Sequence, residues 1–340
     1  MKKLEYTLRR LFLSILVLLG MTIITFSLTR VVPSNPAALY LGTRARPEQI
    51  EAMTEKLGLN DPLPQQYIRY LGNLLSGDLG DSLATKRPVV TEIVSRLPAT
   101  GELLIVALII AIGIGIPLGV FSAQLHGKPA DIFVRAFSII GVSVPQFWLG
   151  LLLQLIFGLA LEWFPLASRV DSTLRFTSPI QDITGFFIVD TLLTGNWIAF
   201  QDVAWHLILP AITLAAYPIG LIARMTRATM LEVMQQNYIR TAEAYGLSYR
   251  LIVYVYALKN AIIPTLTVIG LTFAYSLTGA FYVEIIFNWP GLGLFTARSF
   301  LNLDFPAIMG VTLFGAFGYI IINLLIDLLQ AYIDPRVSLE

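Results

Sequence analysis

Six long apolar runs constrain the fold of this sequence more than any other feature. A helix that spans a bilayer needs roughly 20 consecutive, mostly apolar residues. The runs lie at about residues 9–30, 99–123, 132–161, 205–225, 262–287 and 306–332. They are too long and too uniformly apolar for barrel strands, and a helix satisfies its backbone polar groups internally in lipid. We therefore predict an all-α membrane protein with about six transmembrane helices.

Charged residues are scarce, which agrees with a lipid environment. Only 13% of the 340 residues are charged and the mean hydropathy is +0.72, whereas a soluble domain carries about 25% charged residues. The chain has no cysteine and only two histidines, His126 and His206, which are far apart in sequence. Disulfides and thiolate metal sites are therefore excluded, and no histidine-based metal site is predicted.

The positions of Lys and Arg predict the orientation of the helices. Basic residues precede the first helix, follow the sixth, and lie in the second-to-third and fourth-to-fifth connections. With six spans these sites share one side, and loops rich in Lys and Arg are cytoplasmic. Both termini are therefore predicted to be cytoplasmic. The first loop on the opposite side is also basic, but long loops escape this rule.

The chain is predicted to have three parts. Residues 1–31 form an N-terminal segment and the first helix, which we interpret as retained because its apolar run is long for a signal peptide. Residues 32–98 contain two amphipathic stretches, one ended by Gly58, and are expected to form an ordered external cap. Residues 99–340 form a membrane core with the other five helices and a second external segment at 162–204.

The connection between the fourth and fifth helices, residues 226–261, is too polar to span and too long for a tight turn. Apolar residues follow helical spacing on both sides of Gly246. A glycine there can adopt a left-handed conformation, so that one helix ends and another begins at an angle. We predict a helix-turn-helix at the cytoplasmic surface that packs on its own bundle or docks a soluble partner.

The residues around Gly246 carry a specific resemblance. Residues 238–248 read Tyr-Ile-Arg-Thr-Ala-Glu-Ala-Tyr-Gly-Leu-Ser, and 257–264 read Ala-Leu-Lys-Asn-Ala-Ile-Ile-Pro. They resemble the cytoplasmic signature loop of ABC importer permeases, which in that family inserts into a groove on the ATPase subunit. Ala242 and Gly246 keep the family spacing, whereas Arg240 and Thr241 stand where Glu and Ala are usual. These departures resemble the dipeptide/oligopeptide subclass.

The resemblance extends along nearly the whole chain. The supporting segments are Arg30-Val31-Val32-Pro33 with Pro36, Gly77 to Ser82, Ser143 to Phe147, Trp289 to Gly293, and Asp334-Pro335-Arg336. The long first external loop is similar to that of the first of the two paired permeases in such systems. The resemblance implies an ATPase-coupling site made of Arg240, Thr241, Ala242, Glu243, Ala244, Tyr245, Gly246, Leu247 and Ser248.

The resemblance also implies a multi-subunit importer in a prokaryotic cytoplasmic membrane. The expected partners are a second homologous permease, two ATPase subunits and an external substrate-binding protein. The chain has no G-x-x-x-x-G-K-[ST] phosphate loop, so ATP and Mg are expected on the partners and this chain is not expected to be an enzyme. The implied cargo is di- or oligopeptides, with oligosaccharides, glutathione and nickel chelates as alternatives within the class.

Polar residues inside the apolar runs are candidates for lining a pathway. These candidates, with one neighbouring aromatic residue, are Gln146, Phe147, Gln154, Ser276, Thr278 and Asn323. The alternative is hydrogen bonding between helices. An ion-coupled secondary transporter is a remote alternative, because it favours inverted repeats and mid-membrane carboxylates, and neither is evident. An intramembrane serine enzyme would need a histidine deep in the helix bundle, whereas both histidines are expected at helix ends or in loops.

Overall fold

The computed structural model describes residues 2–31, 36–41, 45–56 and 58–333, without the side chains of 2–11, 28–31, 36, 39–40, 56, 175 and 327–333. The predicted motifs at Val32-Pro33 and Asp334-Pro335-Arg336 lie outside the described residues. Within the described part of the chain, the only β structure is an isolated antiparallel bridge between Asp81 and Pro88. The predicted all-α fold is therefore confirmed.

Fifteen α-helices and two π-helical segments follow one another along the described ranges. The first seven helices are α1 (Lys2–Val31), α2 (Pro36–Leu41), α3 (Pro47–Lys56), α4 (Leu63–Leu75), α5 (Val89–Gln124), α6 (Pro129–Ser143) and α7 (Gln146–Leu153). A π-helical segment (Gln154–Ala160) comes next, followed by α8 (Leu174–Thr177), α9 (Phe187–Leu193), α10 (Trp197–Met234), α11 (Asn237–Ala244) and α12 (Tyr249–Leu251). A second π-helical segment (Ile252–Ala257) leads into α13 (Leu258–Ile286), and α14 (Leu292–Leu301) and α15 (Phe305–Ile333) end the fold.

The predicted apolar runs all lie on helices. Among the residues that the structure describes, four helical stretches are long and apolar enough to cross a membrane: Val89–Gln124, Trp197–Met234, Tyr249–Ile286 and Phe305–Ile326. The pair α6 and α7, extended by its π-helical segment to Ala160, adds a fifth if it counts as one span. The first predicted run lies on α1, where Phe12–Ser27 is a shorter apolar stretch.

The third predicted span is not a single straight helix, which corrects the prediction for residues 132–161. The chain bends by 105° between α6 and α7. Proline disfavours helical backbone in the residue before it, and Val144, which precedes Pro145, is extended with φ −76° and ψ 127°. The same proline fits the start of α7, where it serves as the N-cap residue.

Other helix ends also differ from the prediction. Helix α5 begins at Val89 and continues through Pro98, which the sequence analysis placed in the external cap. Membrane helices tolerate internal proline, because neighbouring groups can satisfy the freed carbonyl. Helix α10 extends to Met234, well beyond the predicted end near residue 225. The polar connection after it is correspondingly shorter than expected.

The chain divides into two compact units. The first contains the residues up to 96 together with 295–320. Here α4 packs on α1, where the hydroxyls of Thr22 and Tyr67 are hydrogen bonded at 2.8 Å and the ring of Phe26 stacks on Tyr70. The loop before α5 is fixed by Asp304, whose carboxylate accepts a 2.5 Å hydrogen bond from the buried Ser82 hydroxyl.

The second unit contains residues 97–294 together with the chain from 321. Its core is formed mainly by buried residues of α5, α10 and α13. Small residues let these backbones approach closely. A Cβ on Gly119 of α5 would lie 2.5 Å from Thr226 Cβ of α10, and one on Gly220 would lie 2.5 Å from the Ser138 carbonyl oxygen of α6. Helix α10 is therefore held between α5 and α6.

Candidate coupling element and transport pathway

A short helical element projects between α10 and α13, and we call residues 235–251 the surface element. Helix α10 ends at Met234, and Gln236 is extended with φ −71° and ψ 150° before α11 begins. After α11 the chain turns at Gly246 and re-enters helix at Tyr249. The predicted helix-turn-helix is present, but its first helix is only α11, because Met230 to Met234 belong to α10.

Gly246 ends α11 in a Schellman arrangement. Its φ is +73°, a left-handed conformation in which a Cβ is unfavourable. The amide of Gly246 donates to the Glu243 carbonyl at 2.9 Å, and the amide of Leu247 donates to the Ala242 carbonyl at 3.2 Å. These are the two bonds of that motif. The predicted role of Gly246 as the turn residue is therefore supported by its geometry.

One face of the surface element is anchored in a hydrophobic cluster. Ile239 of α11 is fully buried and Ala242 is 6% exposed. They pack with residues from α5, α10, the second π-helical segment and α13: Val120, Ala123, Met230, Ile252, Val253, Ala257 and Ala261. A polar contact adds to this, because Asn260 of α13 donates through Nδ2 to the Tyr238 hydroxyl at 3.0 Å.

The opposite face is open to solvent and carries most of the residues predicted for ATPase coupling. Seven of the nine are exposed: Arg240, Thr241, Glu243, Ala244, Tyr245, Gly246 and Ser248. The Tyr245 side chain is the most prominent, at 82% exposed. Ala242 and Leu247 instead pack inward. Among the predicted set, those two residues hold the element in place and the other seven form an exposed face.

The predicted pathway residues do not form one cluster. Gln146, at the start of α7, packs so closely on Gly279 of α13 that a Cβ on the glycine would overlap its amide. Its Nε2 is buried and has no hydrogen-bond partner among the described residues. Phe147 and Thr278 are exposed, and Asn323 is partly buried. These positions are compatible with a surface that a partner or a cargo covers.

Gln154 and Ser276 have local hydrogen bonds that explain their polarity. Gln154 donates through Nε2 to the carbonyl oxygens of Leu166 and Ile286, at 2.5 and 3.1 Å. The Ser276 hydroxyl donates to the Thr272 carbonyl at 2.7 Å and is buried. For these two residues, hydrogen bonds within the protein explain the polar side chain, as the alternative to pathway lining predicted.

Three buried carboxylates, Glu284, Glu102 and Asp190, were not predicted from the sequence. Glu284 and Glu102 lie near the ends of their predicted spans, 262–287 and 99–123, rather than at mid-membrane. Glu284 of α13 is fully buried. It accepts the Thr100 hydroxyl at 2.6 Å and the amides of Gly293 and Leu294 at 2.6 and 3.1 Å. It therefore caps the beginning of α14, where negative charge is favourable. An acidic residue inside an apolar run was the signal that could have revealed it.

A second buried carboxylate holds the external segment before α10. Glu102 of α5 accepts two hydrogen bonds from Arg169, at 2.9 and 2.7 Å, and both side chains are at least 93% buried. The Arg169 guanidinium also lies 3.7 Å above the centre of the Phe187 ring. Burial lowers the pKa of Arg169, and the nearby Glu102 charge opposes that effect only in part. A guanidinium remains charged at neutral pH even so.

Asp190 organises the same external segment. Its buried carboxylate accepts from the amides of Ile183, Thr184 and Gly185 and from the Thr184 hydroxyl. Burial alone raises the pKa of this carboxyl, but the hydrogen bonds outweigh it and leave the pKa below the usual aspartate value. Glu284, Glu102 and Asp190 thus each have hydrogen-bond donors that account for a buried carboxylate.

Two family matches together cover most of the chain. Residues 115–339 match the family described as binding-protein-dependent transport system inner membrane component. Residues 3–104 match the N-terminal region of binding-protein-dependent transport system membrane components. The chain belongs to this family. It is therefore a membrane component of a transport system, and its surface element lies within the larger match.

The permease has relatives that align from end to end. It is 44% identical over 335 residues to the dipeptide transport system permease protein DppB of Alkalihalophilus pseudofirmus, covering 98% of this chain and 99% of the relative. It is 44% identical over 324 residues to the probable D,D-dipeptide transport system permease protein DdpB of Escherichia coli, covering 95% and 94%. An oligopeptide transport system permease protein, AppB of Bacillus subtilis, is 36% identical over 98% of this chain.

Proposed function

We propose that this chain is one of two paired permease subunits of an ATP-driven ABC importer that carries di- or oligopeptides across the cytoplasmic membrane. It binds no ATP itself. Two ATPase subunits hold ATP and Mg, and an external binding protein delivers the cargo. Both termini lie in the cytoplasm, in line with the distribution of Lys and Arg. Residues 32–98 form the external cap, whose last ten residues, 89–98, are the start of α5, and residues 99–340 form the permease core.

The surface element is the observation that carries this proposal. Its inner face is fixed by Ile239 and Ala242, while Arg240, Glu243 and Tyr245 face solvent. Polar side chains on the outer face of a surface helix are ordinary, but Tyr245 is 82% exposed, and tyrosine is enriched in surfaces that a partner protein covers. The soluble partner that fits is the ATPase, because the chain has no phosphate loop and active transport needs a source of energy.

Transport in this proposal is a two-state process. The ATPase dimer closes on nucleotide and displaces the surface elements of the two permeases, and each permease then passes from one arrangement to the other. The nucleotide shifts the equilibrium only through its different affinity for the two states. Gln146 and Thr278 are the best placed of the pathway candidates, because α7 meets α13 beside them and the Gln146 Nε2 has no partner among the described residues.

The proposed cargo follows the relatives, which are dipeptide, D,D-dipeptide and oligopeptide permeases. Oligosaccharides, glutathione and nickel chelates are the alternatives within the same transporter class. The binding protein discriminates among them more than this chain does.

The test begins with affinity purification of the tagged chain from its native membrane under mild detergent. Recovery of a second homologous permease, ATPases with phosphate loops and a binding protein is the expected result. The complex is then placed in liposomes with ATP inside and labelled dipeptide outside, and uptake that needs both ATP and the binding protein is expected. Recovery of the chain alone, with uptake driven by an ion gradient, would refute the proposal in favour of a secondary transporter.

A further inference from the structure

A buried ion pair lies beside the surface element and is not explained by the sequence motifs. Asp131, in the first turn of α6, is 1% exposed. Arg227 of α10 donates to it through two nitrogens, Nε to Oδ1 at 2.7 Å and Nη2 to Oδ2 at 2.8 Å. A two-pronged contact of this kind fixes direction as well as distance, because the guanidinium plane must match the carboxylate.

The same carboxylate also receives donors from α5 and from the turn that follows it. The buried Ser122 hydroxyl donates to Oδ1 at 2.6 Å, and the Gly127 amide donates to Oδ2 at 3.1 Å. His126 lies at the rim, with its Nδ1 3.1 Å from Arg227 Nη2, and its side chain is 64% exposed. Asp131 therefore joins three segments, the end of α5, the start of α6 and the last part of α10.

This junction adjoins the anchored face of the surface element. Met230 lies about one turn after Arg227 on α10, and it packs in the same cluster as Ile239 and Ala242 of α11. Val120 and Ala123, on either side of Ser122 in α5, belong to that cluster too. A displacement of α11 therefore presses on the segments that Asp131 and Arg227 hold together.

Helix α6 connects the junction to the candidate pathway. It has 15 residues, which corresponds to a length of about 22 Å. Its far end is the bend at Val144-Pro145, directly before Gln146. A tilt of about 5° around the Asp131 end moves the bend by about 2 Å, since a helix of this length acts as a rigid rod.

We propose that the Asp131–Arg227 pair is the positioning joint that transmits displacement of the surface element to α6 and, through the bend, to Gln146. The inference rests on the proposed function. Neither residue touches cargo or nucleotide in this scheme. They act by making α6 and α10 move as one body, so that energy from the ATPase reaches the pathway.

The test measures peptide transported per ATP hydrolysed in proteoliposomes. Arg227→Met and Asp131→Asn are expected to lower this ratio at least tenfold while the ATPases stay bound and active. Arg227→Lys, which restores the charge without the two-pronged geometry, should recover part of it. The matched control is Arg224→Met, because Arg224 is exposed on the same helix, and this variant should keep the full ratio.

The absence of cysteine allows a second measurement. Spin labels at Arg135→Cys on α6 and Arg224→Cys on α10 report the distance between the two helices. With the pair intact this distance should stay constant between nucleotide-free and ATP-bound complexes, and with Arg227→Met it should broaden or change. A distance that changes equally in both backgrounds would overturn the proposal.

The outcomes separate this inference from the function on which it depends. If the unsubstituted complex shows no ATP-dependent peptide uptake, the proposed function fails. If that complex transports normally and the Asp131 and Arg227 variants keep the normal ratio, the joint is refuted while the function stands. A variant that only assembles poorly, with an unchanged ratio in the assembled fraction, also refutes the joint and assigns the pair to stability alone.

Discussion

The conformation of Gly246 gives the sharpest prediction for the surface element. Its φ of +73° lies in the left-handed region, and a Cβ built on it meets nothing within 4 Å. A Gly246→Ala substitution therefore has no steric cost, and its whole effect is the backbone penalty of roughly 1–2 kcal/mol for a non-glycine residue in that region. A penalty of that size lowers the ratio of ordered to disordered turn by a factor of about 5–30.

Two further substitutions at the same position bracket this effect. Gly246→Asn should be milder, because asparagine is the next most common residue at this kind of helix end. Gly246→Pro should be much more severe. Proline fixes φ near −65°, and it removes the amide that donates to the Glu243 carbonyl at 2.9 Å. The expected order of coupled uptake is therefore Gly, Asn, Ala and then Pro.

The assay combines ATPase co-purification, peptide uptake in proteoliposomes, and hydrogen exchange of the α11 amides. ATPase co-purification, peptide uptake and the protection of the α11 amides from exchange should all decrease in the stated order. Insertion into the membrane should be unaffected. Gly195→Ala is the matched control, since Gly195 has φ +67° and no atoms within 4 Å of a Cβ but lies in the external segment. Normal uptake and ATPase binding by Gly246→Pro would refute the assignment of this element to docking.

Three other predictions concern the buried carboxylates. Glu284→Ala leaves the Thr100 hydroxyl and the Gly293 and Leu294 amides without their acceptor, which costs about 1–3 kcal/mol for each unsatisfied donor. Thermal unfolding in detergent should therefore occur at a lower temperature, and Glu284→Gln should lower the unfolding temperature less. Glu102→Ala leaves Arg169 buried and unpaired, which should cost about 3–5 kcal/mol in an unfolding titration, whereas Glu162→Ala at an exposed site should cost little. The lowered pKa of Asp190 means that its carboxylate stabilises the folded segment above the unfolded-state pKa of about 3.9. This stabilisation should be lost as the pH falls below that value toward the folded pKa, seen as smaller amide protection factors at residues 183–185 relative to an unstructured peptide at the same pH, and Asp190→Asn should remove the pH dependence.

The membrane helices and the turn at Gly246 were predictable because each has a local cause. Runs of apolar residues of membrane length predict spans wherever they occur, and a left-handed turn after a helix favours glycine, as at Gly58 and Gly246. The helix ends were less predictable. The apolar run on α5 begins near Ala99, but the helix begins at Val89. The first turns of this helix are amphipathic, so they are helical although they are not part of the apolar run.

The tertiary contacts were beyond the sequence analysis for a different reason. Asp131 and Arg227 are 96 positions apart, and Glu284 and Thr100 are 184 apart. No local pattern pairs such residues, and one sequence taken by itself gives no covariation. The surface element was identified because its residues are contiguous, whereas Gln154 and Ser276 were assigned to the pathway although their partners are carbonyl oxygens of the bundle.

The second π-helical segment, Ile252–Ala257, lies between the surface element and α13. In a π-helix each backbone hydrogen bond joins residues five apart rather than four, so each hydrogen-bonded loop contains one more residue than in an α-helix. Its relaxation to an α-helix would rotate everything after it by about 100°, the angle between successive residues in a helix of 3.6 residues per turn. Such a change of register would therefore change which side chains of α13, the helix that bears Thr278 and Gly279, are presented to its neighbours.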